Sequence, residues 1–555
     1  MFRLPLALFA LVAIAGAQPV DLLIVRGNLH TLDSAQPHAT ALAVRDGRIV
    51  YVGDDDGAAK FRADAKRVLD LHGATAVPGL NDAHLHLAGI GERELSFNLE
   101  GTAGIPDLQR RLAERVAATE AKRWIVGRGW IETHWQPAAF PTRQQLDAVS
   151  PDHPVVLERA DGHAVVANSV ALRLAGVTRD TPNPSGGEIL RDAAGEPTGM
   201  LVDRAMALVL RLVPPATPAE VERQLIVGAE REASLGWTGI QIAGNSYEES
   251  ETVRKLVADG RVKLRVYDAV SGSDGSGEKL LAAGPVIGES SGRFTRRGVK
   301  LYIDGALGSR GAALLAPYAD SPQSSGLLMQ EEAKLVPFLQ AALRRGIQVE
   351  THAIGDRGNR TMLDWYEKAF AAVPPGERAV KLPRWRIEHA QIIAPADIPR
   401  FAQLGVIVSM QPSHAIGDLY FAPKRLGRER LAGAYAWQSL LKSGARFAAG
   451  SDAPVERGEP MIEFYAAVAR CSLDGFANED WHLEERLTRE QALHAMTLGA
   501  AYAAFEEEER GSLTVGKWAD LTVLSADIMR ISEPEILKTC CLHTIVGGEI
   551  VYSAR

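Results

Sequence analysis

Short apolar runs alternate with amphipathic helical patterns through the middle of the chain. Patterns of the helical type include residues 331–346 and 362–373. Runs with the length and apolar content of buried strands lie at 74–84, 237–244, 263–270, 299–305, 347–353, 385–391, 406–414 and 446–455. Eight strands that alternate with helices predict an α/β fold, a (β/α)8 TIM-like barrel, rather than an open sheet.

The two ends of the chain share a different pattern. Residues 18–75 and about 508–555 contain short alternating strands separated by glycine and aspartate, as in β-hairpins. We expect one composite β-sandwich built from both termini, with the barrel at 76–507 between them; two unrelated β-appendages are the alternative. About 150 residues separate the first two barrel strands, which predicts an insertion at about 88–230. Its position predicts a lid over the C-terminal mouth of the barrel, and a dimerisation element is the alternative.

The first residues have the pattern of a targeting segment. Arg3 precedes an apolar run from Leu4 to Ile14, and Ala15-Gly16-Ala17 follows. This pattern predicts a signal peptide over residues 1–17, cleavage after Ala17, and an exported protein that is periplasmic or secreted. A retained membrane anchor is the alternative. No later segment has the pattern of a transmembrane span, so none is expected after cleavage.

Charge and cysteine content narrow the function classes. The 555 residues carry a net charge of −8, which argues against nucleic acid as a partner and leaves a small-molecule substrate. Three cysteines, two of them adjacent, make no disulfide framework. A homodimer is compatible with a barrel enzyme of this size, although no segment of the sequence specifies one.

Metal-binding residue types recur at the ends of the apolar runs. Because the carboxyl ends of barrel strands meet at one face, these side chains are expected to converge. His84 and His86 stand at i and i+2, so both can point to one side of a strand. Imidazoles with a carboxylate suit Zn²⁺, and Mn²⁺, Fe²⁺ or Co²⁺ are alternatives. The predicted ligands are His84, His86, Lys300, His352, His389 and Asp452.

Lys300 needs separate treatment, because an ammonium group cannot bind a cation. A lysine carboxylated by CO₂ becomes a carbamate, which is an anionic oxygen ligand that can bridge two metals. A salt bridge to Asp304 or a structural position at the bottom of the barrel is the alternative interpretation, and the residues alone leave both open.

Several motifs together resemble the amidohydrolase superfamily, in particular the branch similar to N-substituted formamide deformylase and the YtcJ-like proteins. These motifs are PGLNDAHLHL, WIVGRGW, DGHAVVANSVAL, VKLYIDGALGSRGAAL, THAIGDRGN, RIEHAQ, SMQPSH and GSDAPV. The resemblance implies histidines on strands one, five and six, a carboxylated Lys300 on strand four and Asp452 on strand eight. It also implies one or two divalent ions.

The expected reaction is hydrolysis of an amide-type C–N bond, in an N-substituted formamide or an N-acyl compound. A metal lowers the pKa of its water, and Asp452 would act as the catalytic proton shuttle for the attacking hydroxide. Esters, lactones or cyclic imides are alternative substrates for the same site, and a non-catalytic regulatory or binding protein is the alternative class. Substrate contacts are expected from His163, His414, Trp130 and Arg310; hydrogen-bonded structural histidines and an ordinary salt bridge of Arg310 are the alternatives.

Overall fold

The computed structural model describes residues 19–554 apart from 161, 185 and 273. The predicted signal peptide, residues 1–17, lies outside the described residues. The chain forms two compact units, one of residues up to Leu87 together with Ala229 onward, and a second of Ala88–Gly228.

Eight parallel strands in chain order form the centre of the first unit, which confirms the predicted (β/α)8 barrel. They are β1 Leu80–Leu85, β2 Trp237–Asn245, β3 Arg265–Ser271, β4 Phe294–Tyr302, β5 Gln348–Ala353, β6 Arg386–His389, β7 Ile407–Met410 and β8 Arg446–Ala449. Hydrogen bonds join the residues after β8 to β1: the Asp452 N–H donates to the His84 carbonyl at 2.7 Å, and the His86 N–H donates to the Ala453 carbonyl at 2.8 Å. These two bonds connect the last strand to the first.

Helices follow most of the barrel strands. Those of the first unit include Asp55–Ala58, Tyr247–Ala258, Ser276–Ala283, Glu332–Arg345, Asp356–Ala372, Ile398–Leu404, Pro412–Asp418, Ala422–Leu426, Trp437–Lys442, Pro460–Ala469, Arg489–His494, Ala500–Ala503 and Glu533–Ile536. None of the helices in the described residues is both long and apolar enough to cross a membrane.

Strands from both ends of the chain share one sheet. Thr75–Pro78 pairs antiparallel with Leu521–Leu524, so that Ala76 stands opposite Val523. The sheet has the order Glu549–Ser553, Cys541–Val546, Leu521–Leu524, Thr75–Pro78, Asn28–His30, His38–Ala39. A second sheet has the order Arg48–Gly53, Ala41–Arg45, Leu22–Val25, Val68–Asp70. Apolar side chains of both sheets form one buried core, which includes Ile24, Leu42 and Leu521.

Two predicted strands are shorter in the structure. The run 74–84 divides at Gly79, so that its first half joins the terminal sheet and its second half becomes β1. A side chain at Gly79 would lie 2.2 Å from Thr238 Oγ1, so only glycine fits this crossing. The run 406–414 ends as a strand at Met410, because Pro412 begins a helix through Asp418.

The inserted unit has a sheet and core of its own. Its strand order is Gly187–Arg191, Pro197–Asp203, Ala164–Ala167, Val155–Arg159, Ile125–Trp130, Phe97–Asn98. Its helices include Ile105–Ala117, Arg143–Asp147, Ser169–Leu174 and Ala207–Leu210, while Leu87–Leu95 and Pro218–Leu235 run across its boundaries. The predicted role of this unit as a lid remains a prediction.

Candidate metal centre

The predicted ligands lie at the C-terminal ends of the barrel strands. His84 is inside β1 and His86 directly follows it, while His352 and His389 lie in the last two residues of β5 and β6. Asp452 lies three residues beyond β8. His389 and Asp452 have left-handed backbone conformations, with φ of 71° and 59°. Non-glycine residues rarely adopt this conformation, and it is common at functional sites.

Close side-chain contacts join these residues into one cluster. His86 Nε2 lies 3.1 Å from Asp452 Oδ1, and His84 Nε2 lies 3.5 Å from the same oxygen. The ring centres of His352 and His389 are 4.6 Å apart, and those of His84 and His389 are 5.0 Å apart. One ligand atom from each of His84, His389 and Asp452 lies within 4.8 Å of the others.

Hydrogen bonds fix which nitrogen of each ring carries the proton. Glu388 Oε2 accepts from His84 Nδ1 at 2.5 Å, and Gln411 Oε1 accepts from His389 Nδ1 at 2.6 Å. Both rings therefore present an unprotonated Nε2. Buried His352 Nε2 has no hydrogen-bond partner among the described residues. Buried lone pairs beside a carboxylate are the donor set that a divalent metal requires, so the residues present fit such an ion.

The electrostatics of the cluster favour metal-binding protonation states. Burial lowers the pKa of His84 to about 4 and that of His352 to about 3, and it holds the pKa of His389 well below its ordinary value. All three rings are therefore neutral at neutral pH, as metal ligation requires. Burial alone would raise the pKa of Asp452, but that pKa lies well below its usual range, and the hydrogen bond from His86 is the largest of the opposing effects.

Lys300 reaches the same cluster and does not form the alternative salt bridge. Its Nζ lies 2.9 Å from His84 Nε2, and its side chain is almost completely buried. The Asp304 carboxylate instead accepts backbone N–H bonds from Ala313, Ile354 and Gly355 at 2.8–3.0 Å. In the part of the chain that the structure describes, no carboxylate lies within ion-pair distance of Nζ. Burial lowers the pKa of Lys300.

A network of charged side chains inside the barrel fixes the orientation of the His84 ring. Glu388, which holds the His84 ring, also accepts from Arg386 Nε at 2.7 Å. Arg386 donates from Nη1 to Gln241 at 2.6 Å and from Nη2 to the Ala83 carbonyl at 2.5 Å. Burial would raise the pKa of Glu388, but Arg386 and His84 outweigh it and lower the pKa to about 2. The carboxylate thus stays ionised opposite the metal-facing ring.

Asp82 ties β1 to the segment after β8. Its Oδ1 accepts from the backbone N–H of His84 at 3.0 Å and of Ser451 at 2.9 Å, and its Oδ2 accepts from Ser451 Oγ at 2.5 Å. Burial raises the pKa of Asp82 to about 7. We call these hydrogen bonds the β8–β1 seam, and we include in it the bonds from the Asp452 N–H to the His84 carbonyl and from the His86 N–H to the Ala453 carbonyl. The seam sets the distance between His84 and Asp452.

Of the four predicted substrate contacts, His414 lies at the cluster. It lies on the helix Pro412–Asp418, and its Nε2 is 3.5 Å from Asp452 Oδ2. The Gln391 amide donates to His414 Nδ1 at 2.9 Å. Because Nδ1 accepts this bond, Nε2 carries an N–H, and this buried N–H has no hydrogen-bond acceptor in the described part of the chain. His414 thus offers a free donor beside the Asp452 carboxylate.

The other three have local partners. Arg310 forms a two-bond ion pair with Asp320 at 2.9 and 3.1 Å, which is the alternative interpretation of that residue. Exposed His163 lies 2.8 Å from Asp203 within the inserted unit. Trp130 is fully buried in the core of that unit, and its indole N–H donates to the Leu157 carbonyl. Trp130 therefore packs within this core, and its contact with a substrate stays a prediction.

Sequence reasoning missed the residues that orient the ligands. Glu388 and Gln411 accept the Nδ1 protons, while Arg386 and Asp82 hold the strands that carry the histidines. One signal was available: Arg386 and Glu388 stand at i and i+2 in an apolar strand, so their charges share one face. Gln411 carried no comparable signal, because its partner comes from a neighbouring strand.

A parallel barrel with histidines and a carboxylate converging at the C-terminal ends of its strands defines a metal-dependent hydrolase. Residues 67–552 match the model of the amidohydrolase family, and the chain belongs to this family. It is a hydrolase that acts on carbon–nitrogen bonds, and it uses a divalent metal.

Relatives of nearly full length resemble the chain. It is 35% identical over 546 residues to "Protein LONG AFTER FAR-RED 3" of Arabidopsis thaliana, with 96% of this chain and 91% of the relative covered. It is 32% identical to the putative amidohydrolase YtcJ of Bacillus subtilis, with 95% and 98% covered. It is 28% identical to N-substituted formamide deformylase of Arthrobacter pascens, with 96% and 98% covered. These relatives confirm the branch that the motifs indicated.

A solved structure agrees with the fold. The crystal structure of an uncharacterized metal-dependent hydrolase from Pyrococcus furiosus has 28% sequence identity and a TM-score of 0.75, with 92% of this chain and 100% of that chain covered. The fold of this chain is thus one that a metal-dependent hydrolase adopts.

Proposed function

We propose that this enzyme hydrolyses the C–N bond of a small amide, an N-substituted formamide or a related N-acyl amine, with Asp452 as the proton shuttle. The observation that carries the proposal is the pairing of neutral, metal-facing histidines with an ionised carboxylate and a free N–H donor in one buried cluster. Similarity to N-substituted formamide deformylase supports the choice of amide class.

The ligands in this proposal are His84, His86, His352, His389 and Asp452, and zinc is the metal that this donor set favours. A divalent ion, when bound, supplies Lewis acidity that acidifies water and polarises a carbonyl group. The protein supplies the remaining parts of the reaction.

Asp452 and His414 have complementary roles in this proposal. The Asp452 carboxylate accepts a proton from the attacking water and returns it to the leaving nitrogen, which departs as a neutral amine. Its lowered pKa keeps it unprotonated and ready to accept that proton. His414 donates its free Nε2–H to the carbonyl oxygen as negative charge develops there. The 3.5 Å separation of His414 Nε2 and Asp452 Oδ2 supports the assignment of both groups to one substrate amide.

Lys300 acts in this proposal as a carbamate. Its neutral amine attacks CO₂, a proton leaves the nitrogen, and the resulting carbamate would help to hold one or two metal ions. Burial without a carboxylate partner supports this assignment, because a permanent ammonium at this position would repel the metal.

The test combines hydrolysis, metal analysis and two substitutions. The native protein should hydrolyse N-alkylformamides, and a chelator should abolish this activity. Asp452→Asn should lower kcat by about 10²-fold or more, since the proton acceptor is lost. Lys300→Ala should lose metal and activity, and millimolar short-chain carboxylates should partly restore both.

Lys517→Ala is the matched control, because Lys517 is a half-buried lysine whose Nζ donates to the Glu507 carbonyl, outside the cluster. It should keep its metal. Full metal content and turnover in Lys300→Ala would contradict the carbamate, and chelator-resistant turnover would contradict the whole proposal.

We also propose that residues 1–17 direct export and are removed, as the Ala15-Gly16-Ala17 pattern indicates. N-terminal sequencing of the protein from its native host tests this proposal. A mature chain that begins at Gln18 supports it, and one that begins at Met1 contradicts it.

A further inference from the structure

A cavity of about 340 Å³ lies beside the metal cluster in the first unit. The helices Pro412–Asp418 and Pro460–Ala469 and the segment 472–474 contribute its walls. Its apolar lining residues are Ile416, Tyr420, Ile462 and Leu473. Tyr420 and Leu473 are 57% and 42% exposed, so a large part of each apolar side chain is accessible. An apolar surface of this kind next to a catalytic cluster is typical of a substrate subsite.

The cavity lies next to the catalytic residues. Glu456 forms part of its wall, and Glu456 Oε1 lies 3.9 Å from His414 Nε2. The same nitrogen lies 3.5 Å from Asp452 Oδ2. Ser413, which precedes His414, also lines the cavity. A substrate whose carbonyl contacts His414 would therefore have room for a substituent in this cavity.

The charges around the cavity disfavour an anion. Glu456 stands at the end nearest the cluster, and its side chain is 31% exposed. Asp474 also lines the cavity. The one cation among the lining residues that the structure describes, Arg457, is 67% exposed and already lies 2.9 Å from Glu459. A carboxylate on the substituent would thus stand near Glu456 without an unengaged cation to offset the repulsion.

We propose that this cavity receives the substituent of the scissile amide, that it selects neutral apolar groups, and that Glu456 is the specificity-determining residue that excludes a carboxylate. The inference rests on the proposed amide hydrolysis, since it defines which amides are accepted. It assigns the wall formed by Ile416, Tyr420, Ile462 and Leu473 to apolar contact and Glu456 to charge selection.

The first experiment compares two substrates that differ by one carboxylate group on the cyclohexane ring. N-(cyclohexylmethyl)formamide is the neutral substrate, and 4-(formamidomethyl)cyclohexane carboxylate is the charged one. The native enzyme should favour the neutral compound in kcat/KM, and Glu456→Gln should reduce this preference by about tenfold, because the repulsion is removed. Glu479→Gln makes the same charge change at an exposed residue outside the cavity lining, and it should leave the preference unchanged.

The second experiment tests the apolar wall. Leu473→Ala should lower the ratio of kcat/KM for N-(cyclohexylmethyl)formamide to that for N-methylformamide by about fivefold, because only the larger substituent reaches the wall. An unchanged ratio in Leu473→Ala, or an unchanged charge preference in Glu456→Gln, would overturn the subsite.

A binding measurement separates failure of the subsite from failure of the proposed reaction. Calorimetry with the corresponding acetamides, on protein treated with chelator, reports affinity without turnover. Tighter binding of the neutral acetamide, with the difference reduced in Glu456→Gln, would support the subsite even if no formamide were hydrolysed. Equal affinities of both acetamides for the native protein would refute it even if hydrolysis were observed.

Discussion

Replacement of Glu388 by glutamine tests whether the residues behind the histidines control the metal site. The native carboxylate accepts two hydrogen bonds, from His84 Nδ1 at 2.5 Å and from Arg386 Nε at 2.7 Å. Glutamine keeps the shape of the side chain but turns one oxygen into an NH₂ group. Because both neighbours are donors, one of them loses its acceptor and faces a second donor.

The expected loss of metal affinity follows from the role of this acceptor. If the amide oxygen stays on Arg386, the His84 ring loses the bond that fixes its orientation and raises the basicity of Nε2. Loss of such a partner lowers metal affinity by about 10- to 100-fold, or about 1.4–2.7 kcal/mol. Stability should fall as well, because breaking a buried ion pair costs about 3–5 kcal/mol. Glu350, 3.5 Å from Arg386 Nη1, should keep the loss near the lower limit.

The measurement is metal affinity by competition with a chelator, together with urea unfolding of the metal-free protein. Glu485→Gln is the matched control: Glu485 is 8% exposed and accepts from the Ser439 N–H at 2.9 Å and its hydroxyl at 2.5 Å. The control should lose stability and keep its metal affinity. Metal affinity in Glu388→Gln within threefold of both the native protein and the control would refute the reasoning.

Two further predictions concern the barrel. Asp520→Asn should lower the free energy of unfolding by about 3–5 kcal/mol, since it leaves buried Arg265 without its carboxylate. Burial would raise the pKa of Asp520, but Arg265 outweighs burial and lowers it. The ion pair therefore stabilises the protein fully at pH values above the ordinary carboxyl pKa, and this stabilisation is lost as the pH falls. The free energy of unfolding of the variant should consequently depend less on pH in the acid range. Gly450→Ala should lower both Tm and metal content, because its Cβ would lie 2.4 Å from the backbone nitrogen of His84. Gly376→Ala is the control: its Cβ meets nothing within 4 Å, so neither quantity should change.

Much of the site was predictable from the sequence because the ligands stand at the ends of apolar strands. The i and i+2 spacing of His84 and His86, and the order of the later residues, required only the geometry of a parallel barrel. The barrel itself is confirmed, and the cluster contains the residues that this geometry predicted to converge. Periodicity could not place Gly79, where two sheets meet, because its requirement for glycine comes from Thr238, 159 residues later in the chain.

The surroundings of two predicted substrate contacts could not be derived from the sequence, for one shared cause. Trp130 is the last residue of an alternating strand pattern, WIVGRGW, and this pattern does not distinguish an exposed from a buried position. The structure buries it against Trp135, with ring centres 6.0 Å apart, and satisfies its N–H with a backbone carbonyl. The position of His414 on a helix likewise depends on Pro412, which ends the apolar run of β7. Such positions depend on burial and on contacts with distant segments, and the local sequence pattern carries no information about either.

The backbone conformations of two predicted ligands link the metal cluster to closure of the barrel. His389 and Asp452 hold left-handed conformations that cost roughly 1–3 kcal/mol each for a non-glycine residue. Such conformations persist only where surrounding contacts determine them. For Asp452 those contacts are the seam. Its N–H donates to the His84 carbonyl, and Asp82 accepts two hydrogen bonds from the preceding Ser451 and one from the His84 N–H of β1. The same bonds that close the barrel therefore direct Asp452 toward His84 and His86, so that closure of the sheet and assembly of the ligand cluster are one structural event.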